Sequence, residues 1–126
     1  MAETGIDDET FIDTTKMDTH ELVRRLNSHL GPTLVATLAG GRDRKMPHRW
    51  AKPDGPMPRD EAIARLTMAH RVWQKIAGAE SDSVARTWFI GANPRLGEVA
   101  PVMKLREGEL GDVWNAAVAF VRGTDD

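Results

Sequence analysis

Residues 18–41 read DTHELVRRLNSHLGPTLVATLAGG, and this stretch decides the fold class. Leu22, Leu26 and Leu30 recur at helical spacing with Val23 beside them, the pattern of one buried stripe. Asp18 followed by Glu21 is a capping-box pattern, so a helix is predicted to start just after Asp18. Gly31 stops it, and Pro32 suits the first position of the next helix, where a missing N–H removes no helical bond. That second helix carries Leu34, Val35 and Leu38 and ends at Gly40-Gly41.

The helical reading extends outward. Asp43 can cap a third short helix that holds Pro47 in its first turn and Trp50 as its large apolar residue. The stretch KPDGPMP breaks regular structure. The longest helix is predicted from about Pro58 to Ala77, with Asp60 and Glu61 at its positive end. Its expected inner face is Ile63, Leu66, His70, Trp73 and Ile76, with Gly78 as cap. Ser81 or Asp82 starts a further helix with Val84, Ala85, Trp88 and Phe89. One or two turns follow from about Pro101 to Arg106. A last helix places Leu110, Val113, Ala117, Phe120 and Val121 inward and ends at Gly123. No segment alternates with period two long enough for a strand, so the expected class is all-α, with six or seven helices.

Composition narrows the function. A chain of 126 residues suits one domain, or two very small ones sharing a core. The absence of cysteine excludes disulfides and thiolate chemistry and fits a cytoplasmic protein. The N-terminal stretch lacks the apolar run of a signal peptide, and no run is long enough to cross a membrane. Residues 1–18 carry six acids against Lys16, whereas the remainder is net +3. The first 18 residues therefore read as an acidic, solvated tail.

No catalytic set is visible. The histidines (His20, His29, His48 and His70) form no ligand pair at helical spacing, and no phosphate loop or nucleophile elbow occurs. His70 reads as a core histidine. The expectation is a protein that is not an enzyme and takes no cofactor or metal.

Two stretches carry the functional expectations. Between Arg42 and Lys52 lie Arg42, Arg44, Lys45, His48, Arg49 and Lys52 against Asp43 alone. Two short helices joined by a glycine turn, with this charge on the second, have the layout of a helix-turn-helix. The cations would meet phosphates, and Arg44, Lys45 or His48 could reach base edges. The alternative is a solvated face on a scaffold. Pro47 restricts such a recognition helix.

The second stretch is WFIGANPRLGEVAPVMKLREG, from Trp88 to Gly108. Asn-Pro favours a turn, because the residue before proline is pushed out of the α region. Gly91 and Gly97 are available for positive φ. Leu96 is expected to tuck in against Trp88 or Phe89, so that Trp88, Phe89, Leu96 and Leu105 serve the core. Arg95, Lys104 and Arg106 are then the exposed cations.

This array resembles the Xre/MbcA/ParS antitoxins, the partners of RES-domain toxins in bacterial toxin–antitoxin pairs. In those proteins a helix ends in an aromatic pair, followed by Asn-Pro-x-Leu-Gly, a Pro-started turn leading to Leu and Gly, and a last helix. Here these are Trp88-Phe89, Asn93-Pro94-Arg95-Leu96-Gly97, Pro101, Leu105 to Gly108, and the helix to Val121. The likeness spans roughly residues 66–123, and more loosely 19–57. The GGRDRKMP turn departs from it, holding glycines and a proline where a polar, serine-rich helix start is usual.

The acidic tail (1–18) has no counterpart in the resemblance, which implies a helix-turn-helix-like region (19–57) and a toxin-binding region (58–126). It implies a homodimeric antitoxin that covers the active site of an NAD-consuming RES toxin and also represses its own operon by binding operator DNA. The implied toxin contacts are Asn93, Pro94, Arg95, Leu96, Gly97, Lys104 and Arg106. The cations would sit where the dinucleotide's phosphates lie. The alternative is a stand-alone helix-turn-helix transcription regulator.

Overall fold

The structure is a computed structural model that describes residues 17–123. Most of the acidic tail, residues 1–16, lies outside the described residues.

Among the described residues seven α-helices follow one another: α1 Thr19–Leu30, α2 Pro32–Ala39, α3 Lys45–Trp50, α4 Asp60–Ala79, α5 Asp82–Ile90, α6 Pro101–Arg106 and α7 Leu110–Arg122. A single 3₁₀ turn, Pro94–Leu96, lies between α5 and α6. The described residues contain no strand, so the all-α class holds.

The punctuation follows the side-chain chemistry. The Asp18 carboxylate accepts the Glu21 N–H at 3.3 Å. Glu21 does not complete a capping box; its carboxylate pairs with Arg25 at 3.0 Å and Arg24 at 3.7 Å. Pro32 opens α2, and Gly40 closes it with φ 97°, a left-handed conformation that suits glycine. The Gly40 and Gly41 N–H groups return to the Thr37 and Ala36 carbonyls at 3.1 and 2.9 Å. Ser81 caps α5, its hydroxyl accepting the Val84 N–H at 3.1 Å. Pro101 opens α6 as expected.

The long helix α4 is the axis of the fold, packing against α1, α2, α5, α6 and α7. Its bounds and its inner face both differ from the sequence expectation. It starts at Asp60 and runs through Gly78 to Ala79. Ile63 and Trp73 are only half-buried, and Ala62, Ala69, Val72 and Gln74 join Leu66, His70 and Ile76 inside. The small residues let neighbouring helices approach on more than one side, which widens the buried face. In α7, Val113 and Ala117 are inside as expected, with Ala116 and Ala119, while Leu110, Phe120 and Val121 are half-buried.

One hydrophobic cluster draws on both halves of the chain, from Leu22, Leu26 and Leu38 to Leu66, Phe89, Leu105 and Val113. Residues 19–57 and 58–126 therefore share a core. Polar clamps reinforce it. The His29 ring stacks on Trp73 at 3.8 Å, and the Trp73 Nε1–H donates to Asp82 at 2.8 Å. An Arg86 N–H donates to the Leu30 carbonyl, joining α5 to the end of α1. The guanidinium of Arg71 lies 4.7 Å from the Trp114 ring centre, a cation–π contact between α4 and α7. Among the described residues no helix is long and apolar enough to cross a membrane.

Candidate interaction surface

The corner between α5 and α6 is built around Asn93. Its side-chain oxygen accepts the Arg95 N–H at 2.9 Å, and its carbonyl accepts the N–H groups of Leu96 at 2.9 Å and Glu98 at 2.8 Å. Backbone pairing of Asn93 with Val99 closes the loop. Asn93 and Leu96 are 5 % exposed, and the 3₁₀ turn packs on α7. The loop is thus fixed from inside. Trp88, Phe89, Leu96 and Leu105 are all buried, as the sequence suggested.

Left-handed backbone falls at Gly97, with φ 67°, and at Glu98, with φ 68°. Gly91 has φ −88°, so its expected positive φ is not used. Glu98 is the one non-glycine residue with positive φ among the described residues. A side chain there costs about 1–2 kcal/mol. Sequence reasoning missed it, since a glycine marks only the first position of the pair. Replacing Glu98 by glycine is expected to stabilise the fold by up to about 1 kcal/mol, the relief being reduced by glycine's chain entropy. Denaturant midpoints for the two proteins measure it.

The implied contact residues separate into two groups. Pro94, Arg95 and Gly97 are exposed on the outer side of the loop, next to Glu98. Asn93 and Leu96 are internal and position that rim without presenting themselves. The expected exposure of Lys104 and Arg106 is corrected. Lys104 is half-buried and lies 3.5 Å from Glu107. Arg106 is half-buried and directs one Nη1 to both the Thr37 and the Gly41 carbonyls, each at 2.8 Å. These are charge-assisted bonds to carbonyls at the C-terminal end of α2 and in the turn after it, where the helix dipole favours a cation.

An apolar groove of about 270 Å³ runs between α5 and α7, lined by Ser83, Val84, Thr87, Trp88 and Phe120. Ile90 continues the Ser83–Thr87 stripe at helical spacing and is 52 % exposed. The buried Trp88 Nε1 has no hydrogen-bond partner among the described residues. An apolar groove and an exposed isoleucine on α5, with a fixed polar loop following that helix, have the make-up of a protein-binding surface, which combines apolar centre and polar rim.

The basic segment is arranged differently. Arg42, Arg44, Lys45, His48, Arg49 and Lys52 are all exposed, whereas Pro47 and Trp50 are buried. Asp43 orders the turn through a bond from the Lys45 N–H at 2.8 Å. The segment is tied to α1: Asn27 donates to the Pro47 carbonyl, Arg24 to the Ala51 carbonyl, and His20 meets the Trp50 carbonyl at 2.8 Å. Helix α3 has six residues, about 9 Å of length. The link Gly40–Arg44 is longer than the three- or four-residue turn typical of helix-turn-helix motifs.

No protein-family model matches the chain, and no curated protein or solved structure shows a significant likeness to it.

Proposed function

We propose that the chain is an antitoxin that binds and neutralises a RES-domain, NAD-consuming toxin by laying its C-terminal corner over the toxin's active site. The observation that supports this most is the division of the Trp88–Gly108 array. Trp88, Phe89, Asn93, Leu96 and Leu105 form a buried interior, and Pro94, Arg95, Gly97 and Glu98 form an exposed rim on the loop they fix. A fixed loop of this kind is preorganised for docking and loses little entropy on binding.

Arg95 is the side chain to test. Arg106 cannot serve, because reversing its charge would break the α2–α6 tie and confound binding with folding. With a RES-domain protein recovered from the native cell, Arg95→Glu is expected to weaken the complex about tenfold or more. Co-expression of the parent chain should rescue growth and that of the variant should not. Equal rescue by both would overturn the assignment of Arg95, and no rescue by the parent would overturn the antitoxin reading.

A second reading, operator binding, is favoured by the six exposed basic side chains around α3. It is compatible with the first. With about six phosphate contacts per dimer, log K should fall with log salt at a slope of about −5. A flat response to salt would remove the DNA role.

A further inference from the structure

A second concavity lies at the α2–α3 turn, which Arg106 ties to α6. It is an open cleft of about 410 Å³ between the α2–α3 turn and the start of α4, lined by Gly40, Gly41, Trp50, Arg59, Glu61 and Arg65, with Ala39 and Ala62. That volume falls in the usual range for small-ligand sites, about 300–1,000 Å³.

Three observations point to an oxyanion as occupant. Arg65 is half-buried and lines the cleft wall. Glycine on two sides leaves room for the guanidinium. A Cβ at Gly40 would stand 3.4 Å from Arg65 Nη1, and one at Gly108 would stand 3.5 Å from Nη2. Arg59 adds a second, exposed guanidinium at the cleft wall. Arg59 also precedes the first turn of the 20-residue α4, where no side chain caps the N–H groups ahead of the Ile63–Arg59 bond. Two guanidinium forks and an uncapped helix start suit a phosphate.

Glu61 sets a condition on what carries that phosphate. A carboxylate beside a bare anion repels it, but one beside a hydroxylated carrier accepts its hydrogen bonds. Trp50, Ala39 and Ala62 supply apolar wall for the carrier's ring. We propose that this cleft binds a small phosphate monoester of a polyol or ribose, with Arg65 and Arg59 holding the phosphate and Glu61 a hydroxyl.

Titration calorimetry of the full chain with ribose 5-phosphate, inorganic phosphate and ribose tests this. Ribose 5-phosphate should bind one to one with a Kd of about 1 mM or tighter, phosphate more weakly, and ribose not measurably. Arg65→Gln and Arg59→Gln should each weaken ribose 5-phosphate about tenfold, whereas Arg122→Gln should not. Arg59 is exposed, so its variant keeps the test valid if Arg65→Gln fails to fold. Glu61→Gln should weaken ribose 5-phosphate and not phosphate. Absence of saturable binding, or equal binding by the Arg59 and Arg65 variants, would overturn the site. Equal affinity for phosphate and ribose 5-phosphate would overturn the carrier. Displacement by a short DNA duplex would assign the cleft to a nucleic-acid backbone instead and overturn the small-ligand proposal.

Discussion

Phe89→Ala is expected to lower stability by about 3–5 kcal/mol, the usual cost of emptying a fully enclosed aromatic position. Phe89 is 0 % exposed, and its helix packs on α4, α6 and α1, so no single neighbour is free to collapse into the gap. The Trp88 ring meets the Phe89 ring edge-on at 5.6 Å, an aromatic contact that would be lost as well. Against a typical total of about 5–15 kcal/mol, this removes a large share of the folding free energy. At about 4 °C per kcal/mol, the melting temperature should fall by more than about 10 °C. Phe89→Leu, which keeps most of the volume, should cost less than about 1.5 kcal/mol. Urea unfolding of the three proteins provides the measurement. A loss below about 1 kcal/mol for the alanine variant would mean that Phe89 does not fill the core of this corner.

Acid should loosen the fold through His70. It is 1 % exposed on the inner side of α4. Burial holds its pKa down from 6.5 to about 4, helped by the positive charge of Arg25 and by His29, both on α1. The unfolded chain therefore binds a proton near pH 6.5 that the folded chain refuses until about pH 4. Within that window the unfolded state holds more protons, so stability rises with pH. It is complete above about pH 6.5 and falls by about 3 kcal/mol on acidification to pH 4. His70→Gln removes the titrating group while keeping a polar side chain. The difference in unfolding free energy between parent and variant should be steep between pH 6.5 and 4 and flat above. A difference independent of pH would show that the imidazole is protonated within the fold.

What the sequence disclosed and what it hid have a common cause. Asp18, Pro32, Ser81 and Pro101 act on the backbone within a few residues of themselves, and each marks its helix start where the chain pattern places it. Gly78 is also local, yet α4 passes through it. A solvent-facing glycine costs a helix only about 1 kcal/mol, less than the burial of the preceding turn returns. That turn carries Ile76 at 0 % exposure. The buried face of α4 was legible only in part, because it serves several neighbours and a single-stripe reading follows one.

The candidate surface divides in the same way. The internal roles of Trp88, Phe89, Leu96 and Leu105 follow from their apolar character. The duty of Arg106 does not, since its acceptors lie 65 and 69 residues away. Nor does the left-handed backbone at Glu98. The short α3 was legible from Asp43, Pro47 and Trp50, but no residue type in the basic segment could reveal how closely it is tied to α1.

The Arg106 tie has a consequence for how the molecule can be divided. Two carbonyls of the early chain depend on a donor near the end of the sequence, so each half supplies what the other lacks. A fragment comprising residues 58–126 would carry this guanidinium without its acceptors and an apolar face without its cover. The C-terminal corner is therefore not a portable module. Grafting it onto another scaffold would require bringing the end of α2 with it, and a lineage that discarded the basic segment would still have to keep the helix before it.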